Sequence, residues 1–172
     1  MEKSSVEAIV KTLSEHQVRY LIAGGLAVAA HGYVRFTADV DLILAIDEAN
    51  LRRAVVALQS QGYRPRAPVE FSEFVDPRKR RQWASEKNMI VFSLHSPRHV
   101  ATEIDLFLEP PLDFEKAYST AALIELAPNV RGSFCSLTDL IALKEKVGRP
   151  QDLRDVAQLR RLQQEKDNEQ GE

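Results

Sequence analysis

The sequence predicts an α/β (α+β) fold: a mixed twisted β-sheet flanked by helices, with a helical pair toward the carboxy terminus. Three observations support this. Short apolar runs of strand length alternate with amphipathic stretches of helical period through the amino-terminal third. Proline and glycine punctuate the chain without forming a clear interdomain linker. The last third reads as two successive helices, each with its own start signal. Alternation of this kind by itself allows several α/β or α+β arrangements.

Each element follows from local pattern. Ser4 and Glu7 stand at capping-box spacing, and Val6, Ile9, Val10 and Leu13 follow at helical spacing, which predicts an amphipathic first helix. Residues 20–23 suit a short buried strand, Gly24 and Gly25 a tight turn, and 26–31 the first turns of a small-residue helix. A second strand is predicted over 40–45, then a helix capped by Asp47 and running through Leu58, with Gly62 just beyond its end. Pro65, Pro68 and Pro77 break up 64–87, where strands are expected around 70–75. Residues 89–94 and 102–108 read as the two strands of a hairpin that turns near Pro97. A short helix near 114–118 and strands near 123–126 and 130–134 come next. Ser136 and Asp139 repeat the capping-box spacing before a helix to about Val147. Pro150 opens a last helix to about Gln164, followed by a polar, frayed tail, EKDNEQGE.

Composition limits the function. At 172 residues and 44 % hydrophobic content, the chain suits one well-packed domain. A formal net charge of −2 gives no global attraction to nucleic acid or an anionic membrane, so such binding needs a local patch. The lone Cys135 and four scattered histidines offer neither an internal disulfide nor zinc-ligand spacing. Signal-peptide and membrane-spanning patterns are not seen, and a cytoplasmic location is expected.

The chemistry concentrates in the stretch YLIAGGLAVAAHGYVRFTADVDLIL. Side chains alternate along a strand, so Asp39 and Asp41 share one face while Val40, Leu42 and Leu44 share the other. Two like charges side by side call for a proton or a cation, and hard divalent ions such as Mg²⁺ prefer oxygen ligands. Asp105, in ATEIDLFLE, faces away from its strand's aliphatic stripe. If its strand lies beside that of Asp39 and Asp41, three carboxylates converge as phosphoryl transfer requires. Taken alone, Asp105 reads equally as a solvated strand residue. Gly24 and Gly25 lie between a strand and a helix, where missing side chains let a phosphate approach backbone N–H groups. A glycine pair is otherwise only a turn.

The GG turn after an apolar strand, RFTADVDL and EIDLFL, in that order, resemble the nucleotidyltransferase fold of the DNA polymerase β superfamily. The likeness is to its small bacterial branch of minimal nucleotidyltransferases and abortive-infection toxins. It implies a nucleotidyltransferase domain over 1–172, with catalytic motifs at 18–108, carboxy-terminal helices at about 137–164 and a polar tail at 165–172. It also implies two Mg²⁺ ions and an NTP co-substrate, from which an NMP group passes to a hydroxyl of a protein, RNA or small-molecule acceptor with release of pyrophosphate. In that scheme Gly24 and Gly25 hold the triphosphate, Asp39 and Asp41 bind metal, and Asp105 ligates metal and assists deprotonation of the acceptor. Many relatives have Ser where this chain has Gly25, which leaves backbone donors to serve here. Arg35 is placed to clamp a phosphate or to stand as a solvated loop residue, and Thr37 to shape the turn.

Lys144 falls in line with Leu137, Leu140 and Ile141 on an apolar helical face, so it needs an acid or a phosphate as partner. The structural partner is Asp155, which aligns with Asp152 on the apolar side of the last helix. The alternative is the triphosphate. Arg78, Lys79, Arg80 and Arg81 with Trp83 form the one basic cluster with an adjacent aromatic, a pattern found at RNA surfaces and on solvated faces alike. His31 is expected to pack at a helix end. A rival to the enzyme is a binding protein on the same fold, one half of a toxin and antitoxin pair.

Overall fold

The computed structural model describes residues 1–170; Gly171 and Glu172, the end of the expected polar tail, lie outside the described residues. In chain order the elements are α1 (Lys3–Glu15), β1 (Tyr20–Ala23), α2 (Gly24–Ala30), β2 (Asp39–Leu44), α3 (Glu48–Ser60) and β3 (Arg64–Pro65). A 3-10 helix (Phe71–Val75), α4 (Pro77–Lys87), β4 (Val91–His95), β5 (Glu103–Phe107) and α5 (Phe114–Ser119) follow. The chain ends in β6 (Ala122–Ala127), β7 (Val130–Phe134), α6 (Leu137–Val147) and α7 (Pro150–Gln170). The seven strands form one mixed sheet in the order β3-β4-β5-β2-β1-β7-β6. Strands β2/β5 and β1/β7 are parallel, and the other neighbours are antiparallel.

The central strands carry the core. Leu21, Ile22, Val40, Leu42, Ile43, Ile104 and Leu106 are fully buried, each contributing about 1.5–3 kcal/mol relative to exposure. Asp47 caps α3 by accepting from the Asn50 amide at 2.9 Å, worth about 1 kcal/mol. The buried Asn50 side chain donates to the carbonyls of Arg19 and Ala45 and accepts from the Arg19 N–H at 2.7 Å. It thereby ties the start of β1 to the end of β2. Among the described residues, no helix is long and apolar enough to cross a membrane.

Most predicted elements fall within a residue or two of their expected ends; four points differ. Ser4 lies inside α1, and Glu2, the residue at its cap position, makes no side-chain cap, so Ser4 and Glu7 are not a capping box. The strand expected around 70–75 is the 3-10 helix, closed by a reciprocal Glu70–Glu73 capping box. Its Phe71 and the Trp83 of α4 stack on Phe92 of β4, and Phe74 packs against the same ring at a tilt. Trp83 is therefore buried, as is Arg80, whose guanidinium donates to the Phe74 and Val75 carbonyls. Arg78 and Lys79 pair with Asp76 and Glu73. The basic run is thus not a surface of cations beside an open aromatic ring. The last helix also continues six residues beyond Gln164, to Gln170.

Candidate active site

Backbone register builds the site. Strand β1 runs antiparallel to β2 with Ala23 opposite Asp41, and β5 runs parallel along the other side of β2 with Asp105 opposite Asp41 and Glu103 opposite Asp39. Opposed residues on adjacent strands point to the same face. Asp39, Asp41, Asp105 and Glu103 therefore share a face. Ser93 of β4 continues the row, and its hydroxyl donates to Asp105 Oδ1 at 2.6 Å. Arg66 donates from Nε and Nη2 to the two carboxylate oxygens of Glu103.

Burial, with the neighbouring charges of Asp105 and Asp39, pushes the Asp41 carboxyl up to about 6, although Lys144 and Arg149 oppose this. Asp39 is also raised, by burial first and then by Asp105 and Glu103. An all-oxygen donor set whose members repel one another in this way fits a hard divalent cation. Among the described residues, no three Asp, Glu, His or Cys side chains form a ready cage.

The glycine pair, expected as a turn ahead of a helix, instead forms the first two residues of α2 and lies against these acids. Gly24 has φ +63°, and a Cβ there would sit 1.8 Å from Asp41 Oδ2. A Cβ at Gly25 would meet Arg35 Nη2 and Thr37 Oγ1, each at 2.7 Å. The space expected to offer backbone donors alone thus also holds a guanidinium and a hydroxyl. Thr37 Oγ1 donates to the Asp39 carbonyl at 3.4 Å, consistent with its expected part in shaping the turn.

Lys144 of α6, Arg149 of the α6–α7 junction and Arg35 of the loop before β2 supply the cations of the site. Lys144 Nζ lies 2.8 Å from Asp155 Oδ2 and 3.1 Å from Asp152 Oδ1. Arg149 Nε reaches Asp152 Oδ2 at 2.8 Å, and Arg35 Nε lies 3.4 Å from Asp155 Oδ2. Asp155 is fully buried and Lys144 nearly so. Burial works against the Asp152 charge, yet its bonds to Arg149 and Lys144 hold the carboxyl below its ordinary range. Three cations are thus held by two acids along one rim. They line one cleft of about 610 Å³ together with Asp39, Asp41 and Asp105.

Gly24, Gly25, Arg35, Asp39, Asp41, Asp105 and Lys144, all named from the sequence, line this one cleft. The Lys144 to Asp155 pair expected on structural grounds is present, and Lys144 lines the cleft as well. His31 closes α2 and bonds through Nε2 to the Cys135 carbonyl at 2.8 Å. Sequence reasoning missed Arg149 and Ser93. Arg149 sits in the Gly-Arg-Pro junction between two helices, which carries no periodic signal. Ser93 was legible as the polar residue within VFSLH on a strand expected to pair with that of Asp105.

No protein-family model matches the chain, and no curated protein does. Solved structures do. The crystal structure of ANT(2'')-Ia in complex with adenylyl-2''-tobramycin is similar with a TM-score of 0.56 at 13 % identity, over 91 % of this chain and 86 % of that one. A solution structure of the antibiotic-resistance factor ANT(2'')-Ia gives 0.56 at 14 %, over 93 % and 80 %. The putative nucleotidyltransferase TM1012 from Thermotoga maritima gives 0.52 at 15 %, over 93 % and 91 %. The chain has the nucleotidyltransferase fold of these proteins.

Proposed function

We propose that the protein is a Mg²⁺-dependent nucleotidyltransferase that moves an NMP group from an NTP to a hydroxyl of its acceptor. The observation that carries this reading is the register of Asp41 with Asp105 on one sheet face, in one cleft with the Lys144, Arg149 and Arg35 rim and the glycine turn. A triphosphate brings negative charge to a cleft with one acidic and one basic wall. The basic wall and the backbone N–H groups of the glycine turn take its β- and γ-phosphates. Asp39, Asp41 and Asp105 would hold the divalent ions, which when bound neutralise phosphate charge as Lewis acids. The fold shared with ANT(2'')-Ia, solved with adenylyl-2''-tobramycin, supports a hydroxyl acceptor.

The acceptor oxygen attacks the α-phosphorus and forms the new P–O bond as the bond to the pyrophosphate oxygen breaks, and pyrophosphate leaves. The hydroxyl proton passes to the Asp105 carboxylate. Ser93, bonded to Oδ1, fixes that carboxylate's orientation. Arg35, Lys144 and Arg149 stabilise the charge that builds on the leaving group.

The test incubates the protein with each labelled NTP, Mg²⁺ and cell extract, with Asp41→Asn as control. Label in RNA, in protein or in a small molecule names the acceptor class, and label on a protein encoded beside this chain would make that protein its toxin or antitoxin partner. Equal labelling by Asp41→Asn would refute the reading, because the substitution removes ligand charge and leaves shape intact.

A further inference from the structure

The row that carries the acids continues beyond them. Ala23 of β1 lies opposite Asp41 of β2, Asp41 opposite Asp105 of β5, and Asp105 opposite Ser93 of β4. Neighbouring strands lie about 4.8 Å apart, so the residue before the glycine pair, the two acids and the serine follow one another straight across the sheet. The Ser93 hydroxyl donates to Asp105 Oδ1 at 2.6 Å, within the reach that a general base needs to the group whose proton it takes. Thr37, whose hydroxyl also lies beside the acids, donates to a backbone carbonyl instead, that of Asp39. Ser93 is half-buried, so its oxygen is not sealed in the core.

An in-line displacement needs the attacking oxygen and the leaving group on opposite sides of the phosphorus. The sheet order supplies both sides. With the β- and γ-phosphates at the glycine pair on the β1 side, an α-phosphate over Asp41 and Asp105 has Ser93 on the β4 side. We propose that Ser93 is itself an acceptor, and that the protein transfers an NMP group to its own Ser93 hydroxyl when no other hydroxyl occupies the site. The inference rests on the nucleotidyltransferase reading. Ser93 Oγ forms a bond to the α-phosphorus and its proton passes to the Asp105 carboxylate. The bond from the α-phosphorus to the bridging oxygen breaks, and pyrophosphate leaves with that electron pair. The product is a phosphodiester on Ser93. Its oxygen has no hydrogen left to give Asp105, and the nucleotide stays over the acids, so each chain reacts once and is closed to further transfer.

The experiment incubates the full chain with ATP, GTP, CTP or UTP and Mg²⁺ in the absence of extract, reads the intact mass, and locates the adduct by peptide mapping. The expected result is a gain of one NMP group per chain, on the peptide that holds Ser93, at a first-order rate that dilution of the protein does not change. Ser93→Ala and Asp41→Asn should stay unlabelled, and chain modified beforehand should no longer label extract. An adduct on another residue, an adduct that Ser93→Ala retains, a rate that rises with protein concentration, or modified chain that labels extract as before would each overturn the inference. So would a chain that labels extract while its own mass stays unchanged, a result that leaves the transferase reading standing. If neither the chain nor the extract is labelled, the transferase reading fails and self-transfer falls with it.

Discussion

Replacing Asp41 by Asn should make the metal-free protein more stable at neutral pH. The Asp41 carboxyl titrates at about 6 instead of its ordinary 3.8, because it is buried beside Asp105 and Asp39, with Lys144 and Arg149 only partly compensating. Between those two values the folded state binds more protons than the unfolded one, so stability falls as pH rises through that window. At about 1.4 kcal/mol per pKa unit the strain above pH 6 is about 3 kcal/mol. Asn keeps the shape and removes the charge, so thermal unfolding in EDTA at pH 7.5 should rise by about 6–12 °C, at about 2–4 °C per kcal/mol for a chain of this size. At pH 3, below the ordinary 3.8, the carboxyl is largely protonated in both states and the difference should close. Saturating Mg²⁺ should raise the melting temperature of the parent protein and have little effect on the variant, since a cation relieves the same repulsion. A variant that melts at or below the parent at pH 7.5 in EDTA would refute the reasoning, because the acids would then be stably accommodated without a counter-charge.

Four further outcomes follow from particular contacts. Gly24→Ala places a Cβ 1.8 Å from Asp41 Oδ2 at φ +63°; it should cost about 1–2 kcal/mol in the melt and, by displacing Asp41, lower turnover by about 100-fold. Lys144→Met leaves the buried Asp155 and Asp152 with Arg35 and Arg149 as their remaining cations, Asp155 keeping its bond from Gln151, so denaturant unfolding should show a loss of about 3 kcal/mol. Arg149→Met removes a mostly exposed side chain and should raise the KM for NTP with the melt changed by less than about 0.5 kcal/mol. Burial pushes the Cys135 thiol up to about 12, so iodoacetamide should leave it unmodified at pH 8 and label it once urea unfolds the chain.

Legibility in the sequence followed the range of the forces involved. Period and caps act within a few residues, so β1, β2, α3 and α6 and their caps at Asp47 and Ser136 were read from local pattern. The shared face of Asp39 and Asp41 needed only strand alternation. The meeting of Asp41 with Asp105 needed the parallel pairing of β2 with β5 across some sixty residues, and only the family resemblance suggested it. The segment 71–87 failed for a different reason. Local pattern predicts strands only around 70–75 and no element at 77–87, but Phe71, Phe74 and Trp83 pack on Phe92 from a 3-10 helix and α4, and tertiary burial overrides local preference there. Arg149 sits at a helix junction, where no period aims a side chain, and its place on the cleft rim is visible only after α7 has packed on α6.

The Arg35, Lys144, Arg149, Asp152 and Asp155 network is hard to explain by stability. Burying Asp155 completely and Lys144 nearly so incurs a desolvation penalty that their mutual attraction about offsets, and a packed apolar set of similar volume would hold α6 to α7 as well or better. What an apolar set cannot do is hold three cations on one rim with their directions fixed before a polyanion arrives. Two acids achieve that. Asp155 lies between Arg35 of the loop before β2 and Lys144 of α6, and Asp152 lies between Lys144 and Arg149. Lys144 above all is thus oriented by internal partners, and its ammonium needs little reorganisation when a triphosphate binds, which is where electrostatic stabilisation of a transition state gains most. Register orients the acids on the sheet in the same way: the backbone ladder sets Asp41 beside Asp105 whether or not their charges are satisfied. The two walls are therefore preorganised by different means, hydrogen-bonded strands on one side and a buried ion network on the other, and what both leave unsatisfied in the cleft is the charge pattern of a metal-bound triphosphate.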